Sequence, residues 1–305
     1  MRPSTCADLL AVALAGAALA VPARADAQVC CAGGSAVTPA RLSYGDDALV
    51  GLELRAADVF GAFDADARFT ARGAGALELD FSEQLFATAR VLEHGEVGLR
   101  VPLVETWRRA HGASEAGGGL GDLGLHARYE IYQAGRSDWP GVSAQIAVTL
   151  PTGTPPEATT TPLATGTTGT GSFAASLGVA LEQVYGPLFL GLGGVVARRA
   201  GRTVHGIDAT LATQWSASLA AVYGFAAGPA LGLVLGYQAE GEAVIDGAEA
   251  AGTGRRIGRL ALTSHFPLTD AWRLQSAFAL TPPLRGLGRN LPVEQSLAVT
   301  VVWAQ

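Results

Sequence analysis

"LGDLGLHARYEIYQ", residues 120–133, separates into two sets when alternate positions are read. Leu123, Leu125, Ala127, Tyr129 and Ile131 are apolar or aromatic, whereas Gly124, His126, Arg128 and Glu130 bring a histidine, a cation and an anion. A period of two is the signature of a β-strand, because successive side chains point to opposite faces of the pleat. The fold turns on which of these two faces is the inside.

The same alternation recurs along the chain. Val50, Leu52 and Leu54 oppose Glu53 and Arg55; Leu79, Phe81 and Leu85 oppose Asp80; Val97, Leu99 and Val101 oppose Arg100. Val142, Ile146 and Val148 oppose Gln145, and Phe173, Leu177 and Val179 follow, then Leu188, Leu190 and Leu192. Residues 207–223 read as one strand, with Leu211, Trp215 and Leu219 against Asp208, Thr210 and Gln214. Leu231, Leu233 and Leu235 oppose Glu240 and Glu242; Leu260 and Leu262 oppose Arg259 and His265; Trp272 and Leu274 oppose Arg273; Leu297, Val299 and Val301 oppose Glu294. These are about twelve segments, each near the roughly 9–11 residues that a tilted strand needs to cross a bilayer.

Loop lengths sort by parity. Connections from odd to even strands are long (64–75, 110–120, 151–171, 200–206, 246–254 and 282–290), and those from even to odd are mostly short. A soluble sandwich has no reason for this, but an outer-membrane barrel pairs short periplasmic turns with long extracellular loops. Aromatic residues near strand ends, among them Phe60, Trp107, Tyr185, Tyr223, Trp272 and Trp303, fit interfacial girdles.

Composition agrees. Apolar residues make up 49% of the 305 and charged ones 16%, below the soluble average of about 25%. After the N-terminal stretch no run of about 18 apolar residues is found, so no spanning helix is expected. The net charge of −6, with no lysine, lacks the basic stripe of a nucleic-acid binder. "LLAVALAGAALAV" (9–21) followed by Ala25-Asp26-Ala27 reads as a secretory signal peptide over residues 1–27. An N-terminal tail over 28–48 and a barrel over 49–305 complete the expected organisation. Cys6 leaves with the signal, and the adjacent Cys30 and Cys31 fall in the tail, where a mixed or intermolecular disulfide and an unpaired mobile pair are both open readings.

The expected fold is therefore an all-β, transmembrane, antiparallel up-and-down barrel in the bacterial outer membrane. A sheet that spans lipid must close, since an open edge leaves backbone groups unsatisfied. A charge on the lipid face at midplane costs about 2–4 kcal/mol. The oily set must then face lipid, and the lumen is assigned Asp80, Arg100, His126, Arg128, Glu130, Gln145, Gln214, Glu240, Glu242, Arg259, His265, Arg273 and Glu294. A water-filled pore and a salt-bridged, plug-like core are both compatible with that set; small inward residues such as Gly191, Gly193 and Ser216 leave room for the pore.

"GLGDLGLHARY" (119–129), "LPTGTP" (150–155), "TGTGS" (168–172) and "YGP" (185–187) occur in this order. The ordered set resembles the outer-membrane channel family grouped under the meta-pathway of phenol degradation. That resemblance implies a channel for small, aromatic or amphipathic solutes, with outer-membrane lipid and the barrel-assembly machinery as partners. It singles out Gly119, Gly121 and Asp122, where a strand opens after an extracellular loop, and Pro151, Thr152 and Gly153, where the next upward strand ends. In physical terms the glycines permit unusual backbone angles and Asp122 can cap a turn through its side chain. The Thr/Pro/Gly-rich loop at 152–171 reads either as a surface loop or as a constriction folded over the mouth.

Other chemistry finds no support. No two of the five histidines have metal-ligand spacing on one strand face, and nothing completes a catalytic Ser–His arrangement. No enzyme activity, metal or cofactor is expected. A closed adhesive barrel acting through its loops and a secreted soluble β-sandwich stand as alternatives.

Overall fold

A computed structural model describes residues 38, 40–110, 112–134, 139–226 and 228–305 of the chain. The signal-peptide reading over 1–27 and the pair Cys30 and Cys31 lie outside the described residues.

Twelve strands form the wall: β1 (Ala48–Phe63), β2 (Leu77–Leu92), β3 (Gly95–Ala110), β4 (Leu123–Tyr132), β5 (Gly141–Leu150), β6 (Ala174–Tyr185), β7 (Leu188–Arg199), β8 (Gln214–Gly224), β9 (Ala230–Glu240), β10 (Arg255–Pro267), β11 (Trp272–Leu280) and β12 (Pro292–Ala304). Each pairs antiparallel with its neighbours in sequence, and β12 returns to β1 over a register running from Leu49↔Ala304 to Ala62↔Pro292. The barrel is closed, so no strand presents unpaired backbone to lipid.

The outer face is the oily one. Leu52, Leu85, Ile146, Leu177, Leu219 and Leu262 are each 43–66% exposed. On a water-soluble monomer such a continuous apolar surface would be an aggregation hazard; on a membrane barrel it is the lipid-facing belt. Within the wall, Phe86, Phe189, Val222 and Val302 are buried. Connections at one end are short (93–94, 133–140, 186–187, 225–229 and 268–271), and those at the other end are long. The short-turn end is periplasmic by that asymmetry, and both Ala48 and Ala304 sit there.

Three local readings are corrected. Residues 110–120, read as a loop, contain a strand, Ala113–Leu120, that pairs back onto β3 and raises the wall on that side. Its glycine-rich run Gly117–Gly119 hides the alternation. The strand read over 207–223 is broken: Ile207–Thr210 joins a separate four-stranded sheet with Arg202–Val204, Ala243–Ile245 and Ala248–Ala250, and β8 starts only at Gln214. Asp208 and Thr210 therefore leave the inner face of β8. Thr203 donates a hydrogen bond to Asp208 there at 2.6 Å, and the apolar Leu211 between the two pieces had masked the break. Finally, within the expected tail, Ala40, Leu42, Ser43 and Asp46 are buried against the inside of the barrel, while Tyr44 at the reversal stays exposed. Gly45, at φ +97°, supports the reversal that turns the chain inward. Ala40 and Leu42 then bury against Leu49, Phe86, Val302 and Ala304.

Candidate functional site: the lumen and its two mouths

The N-terminal segment is held at the periplasmic mouth by a ring of inward side chains. Arg41 pairs with Glu182 at 2.6 Å and with Glu130 at 3.0 Å. Burial opposes its charge, but the Glu182 and Glu130 carboxylates outweigh that and hold its pKa above the ordinary value. Arg128 reaches the same two carboxylates, at 3.3 Å to Glu182 and 3.5 Å to Glu130. The Leu42 amide donates to Glu96 at 3.1 Å, and the Thr88 hydroxyl donates to the Ala40 carbonyl at 2.7 Å. On the far side Arg273 forks onto Asp46 at 2.6 and 2.7 Å, while Arg90 donates to the Asp46 carbonyl. These are charge-assisted bonds, the stronger class, and they grip both limbs of the reversal.

A cavity of about 350 Å³ lies in the lumen against this segment. Arg100, His126, Gln145, Phe189, Ser218 and Thr38 are among its lining. Inward glycines let their neighbours lie flat on the wall. A Cβ at Gly98 would stand 2.2 Å from the His126 ring, one at Gly51 2.2 Å from the Phe86 ring, and one at Gly178 2.6 Å from the Gln145 amide. Gly191, Gly193 and Ser216 border the cavity, yet some of the room at Gly191 is taken by the Phe189 ring, 3.2 Å from where a Cβ would be.

At the outer mouth three of the four quoted motifs interlock. Asp122 accepts the Gly153 amide at 3.0 Å on one oxygen, and the Thr170 amide (2.7 Å) and hydroxyl (2.9 Å) on the other. Thr152 donates its hydroxyl to the Gly121 carbonyl and accepts the Leu123 amide. Thr168 donates to the Leu120 carbonyl at 2.7 Å. Gly169 must be a glycine, since a Cβ there would meet the Asp122 carboxylate at 2.4 Å. The loop so clasped folds onto the inner face of the raised hairpin: Arg108 donates to the Leu163 and Ala164 carbonyls, Glu115 accepts the Leu163 amide, and Thr165 is fully buried against Gly117. Of the two readings of 152–171, the inward fold is the one observed. Gly119 closes the hairpin arm, Gly121 and Asp122 form the rim joint, and Pro151, Thr152 and Gly153 lie directly after β5.

The remaining assigned residues divide by height. Nearer the outer end, Thr106 donates to Asp80 at 3.0 Å, Arg199 joins Glu240 (3.3 Å) to Gln214 (2.8 Å), and Glu294 receives both Arg55 (2.7 Å) and Arg259 (3.4 Å). His265 is buried beside Gln275 on the next strand. Glu242 lies beyond the end of β9, outside the spanning wall. It accepts the Gly254 amide, and that bond, with help from Thr253 and Arg289, holds its pKa below the usual carboxylate range.

Sequence reading missed Arg41, Asp46, Glu96 and Glu182. Glu96 and Glu182 were available by parity, since each is adjacent to an outward Val97 or Leu181. Arg41 and Asp46 carry no periodic signal at all.

No protein-family model matches the sequence, and no curated protein matches it. Among solved structures, the chain is similar to the COG4313 outer membrane channel from Pseudomonas putida F1, with a TM-score of 0.71 and 16% identity over 85% of this chain and 96% of that one. It is also similar to the β domain of the Bordetella autotransporter BrkA, with a TM-score of 0.50 and 10% identity over 85% of this chain and all (100%) of that one. The shared feature is the fold. A closed barrel with an apolar belt and parity-sorted loops is a protein of the bacterial outer membrane.

Proposed function

We propose that the barrel is a channel for passive passage of small solutes, aromatic and amphipathic ones among them, across the outer membrane. The observation that carries this reading is the polar cavity inside a wall whose other face is oily: a barrel needing only to sit in lipid has no use for a lumen lined by Arg100, His126, Gln145 and Ser218. The similar Pseudomonas putida protein is described as an outer membrane channel, which supports the reading. Residues 40–47 and the clasped loop narrow the route at its two ends, so conductance should be low and should rise when either is displaced. The test is planar-bilayer recording and liposome swelling with the purified protein, with and without residues 28–47. Small conductance steps that grow on removal of the segment are expected. Silence in both assays, for both proteins, would sink the channel.

One observation favours a second reading, attachment through the extracellular loops. The four-stranded sheet at 202–210 and 243–250 exposes Ile207, Val244 and Ile245. Shortening 202–210 should then abolish surface binding while leaving conductance unchanged.

A further inference from the structure

Most arginines that face the lumen of this barrel are held by a carboxylate, or, like Arg90, by backbone carbonyls. Arg41, Arg55, Arg108, Arg128, Arg199, Arg259 and Arg273 each have a carboxylate within 2.6–3.4 Å. Arg100, on β3, has no ion pair and no hydrogen bond among the described residues, and its Nε is buried without a partner. A buried cation is costly unless something pairs with it. The carboxylates bordering the same cavity are engaged elsewhere: Glu182 by Arg41 and Arg128, Glu96 by the Leu42 amide. Glu53, whose charge Arg100 feels, takes the Thr300 hydroxyl at 3.3 Å and forms no ion pair with Arg100.

We propose that Arg100 anchors a subsite in the central cavity for small monocarboxylates that carry an apolar body. This rests on the channel reading and names the solute class it would favour. The stem of Arg100 runs beside Gly124, where a Cβ would lie 3.7 Å from its own Cβ and 4.0 Å from its Cδ; nothing larger crowds it there. A guanidinium presents its donors as a planar fork that fits a carboxylate's two oxygens. Ser176, Ser218 and Gln145 border the same space and can donate further hydrogen bonds, while Ala147, Ala180 and Val195 supply apolar surface. The volume of about 350 Å³ sits at the small end of ligand sites, which run from roughly 300 to 1,000 Å³. A small body fits and a lipid-sized one does not.

The test is calorimetric titration of the full-length protein in detergent, where no transport is needed. The probes are benzoate, its neutral analogue benzamide, and acetate. Benzoate should bind saturably, with benzamide and acetate each about tenfold weaker or worse, a difference of about 1.4 kcal/mol. Arg100→Gln should lose benzoate by at least that factor, Arg100→Lys should keep part of it, and Arg285→Gln, on an exposed loop, should keep all of it. Heat-modifiable migration on a gel checks that each variant is folded, and the benzoate–benzamide comparison on the unaltered protein stands even if a variant is not. Equal binding of benzoate and benzamide, or undiminished binding in folded Arg100→Gln, overturns the subsite. Chloride displacing benzoate at equal concentration, or acetate binding as well as benzoate, overturns the apolar-body requirement. Conductance without benzoate binding leaves the channel and removes the subsite; benzoate binding without conductance does the reverse.

Discussion

Asp122 holds three donors from two separate stretches of one loop, so its removal should act locally. Hydrogen bonds to a charged group contribute about 1.5–3 kcal/mol each when buried, and less at a rim that meets water. Asp122→Ala is therefore expected to free the 152–171 loop without unfolding the wall. Limited proteolysis should cut that loop in the variant and spare it in the parent, while both keep the same heat-modifiable migration. Equal resistance in the two proteins would mean that the clasp does not hold the loop. The inward glycines support a different expectation. At Gly51 the Phe86 ring occupies the space a side chain would need, and Phe86 also caps Leu42 of the inserted segment. Overpacking such a site costs typically about 1–3 kcal/mol. Gly51→Val should lower the urea midpoint of the folded barrel, whereas Gly236→Ala, where a Cβ meets nothing within 4 Å, should leave it unchanged.

The inserted N-terminal segment is an element held by side chains more than by backbone. Its deepest anchor is Arg41, shared between β4 and β6 through Glu130 and Glu182. Removing one member of a buried charge cluster leaves the others uncompensated, although here Arg128 remains to satisfy both carboxylates. Arg41→Gln is accordingly expected to loosen the segment while sparing the wall, and single-channel recording should register a larger conductance or frequent openings. An unchanged trace in a protein that binds lipid normally would show that the other contacts, Arg273 to Asp46 above all, suffice. Elements of this kind explain which parts of the molecule sequence reading reaches. Alternation is repeated over ten or so residues in each spanning strand, so the twelve strands and their faces are legible, the start of β8 excepted, as is the parity of the loops. Residues 40–47 are too short and too irregular to carry a period, and their fit depends on partners as distant in sequence as Asp46 and Arg273. The raised Ala113–Leu120 arm fails for the opposite reason: glycine has no side chain with which to mark a face. The motif residues Gly121, Asp122 and Thr152 were visible, but the way they lock together emerges only when the loop is folded back.

At the scale of the whole barrel, the decisive claim is which side of the wall is outside. It follows from burial and charge, and it can be tested with a matched pair of substitutions. Leu219 is the central residue of β8, 51% exposed, with Leu192 and Leu235 paired beside it on the same outer face. An arginine at such a midplane position costs about 2–4 kcal/mol when it faces lipid. Gly236 sits one residue further along β9, with its Cβ direction toward the lumen and open space before it. An arginine there faces the lumen and escapes the lipid penalty; its cross-strand neighbour Arg259 is a like charge, but one already held by Glu294. Leu219→Arg is thus expected to depress the folding free energy into lipid vesicles by about that 2–4 kcal/mol, and Gly236→Arg to depress it by clearly less. Refolding titrations followed by intrinsic tryptophan fluorescence read both values in one series. Were the order reversed, the oily face would be an interior, the barrel assignment would fail, and a soluble sandwich would become the better account of the same alternation.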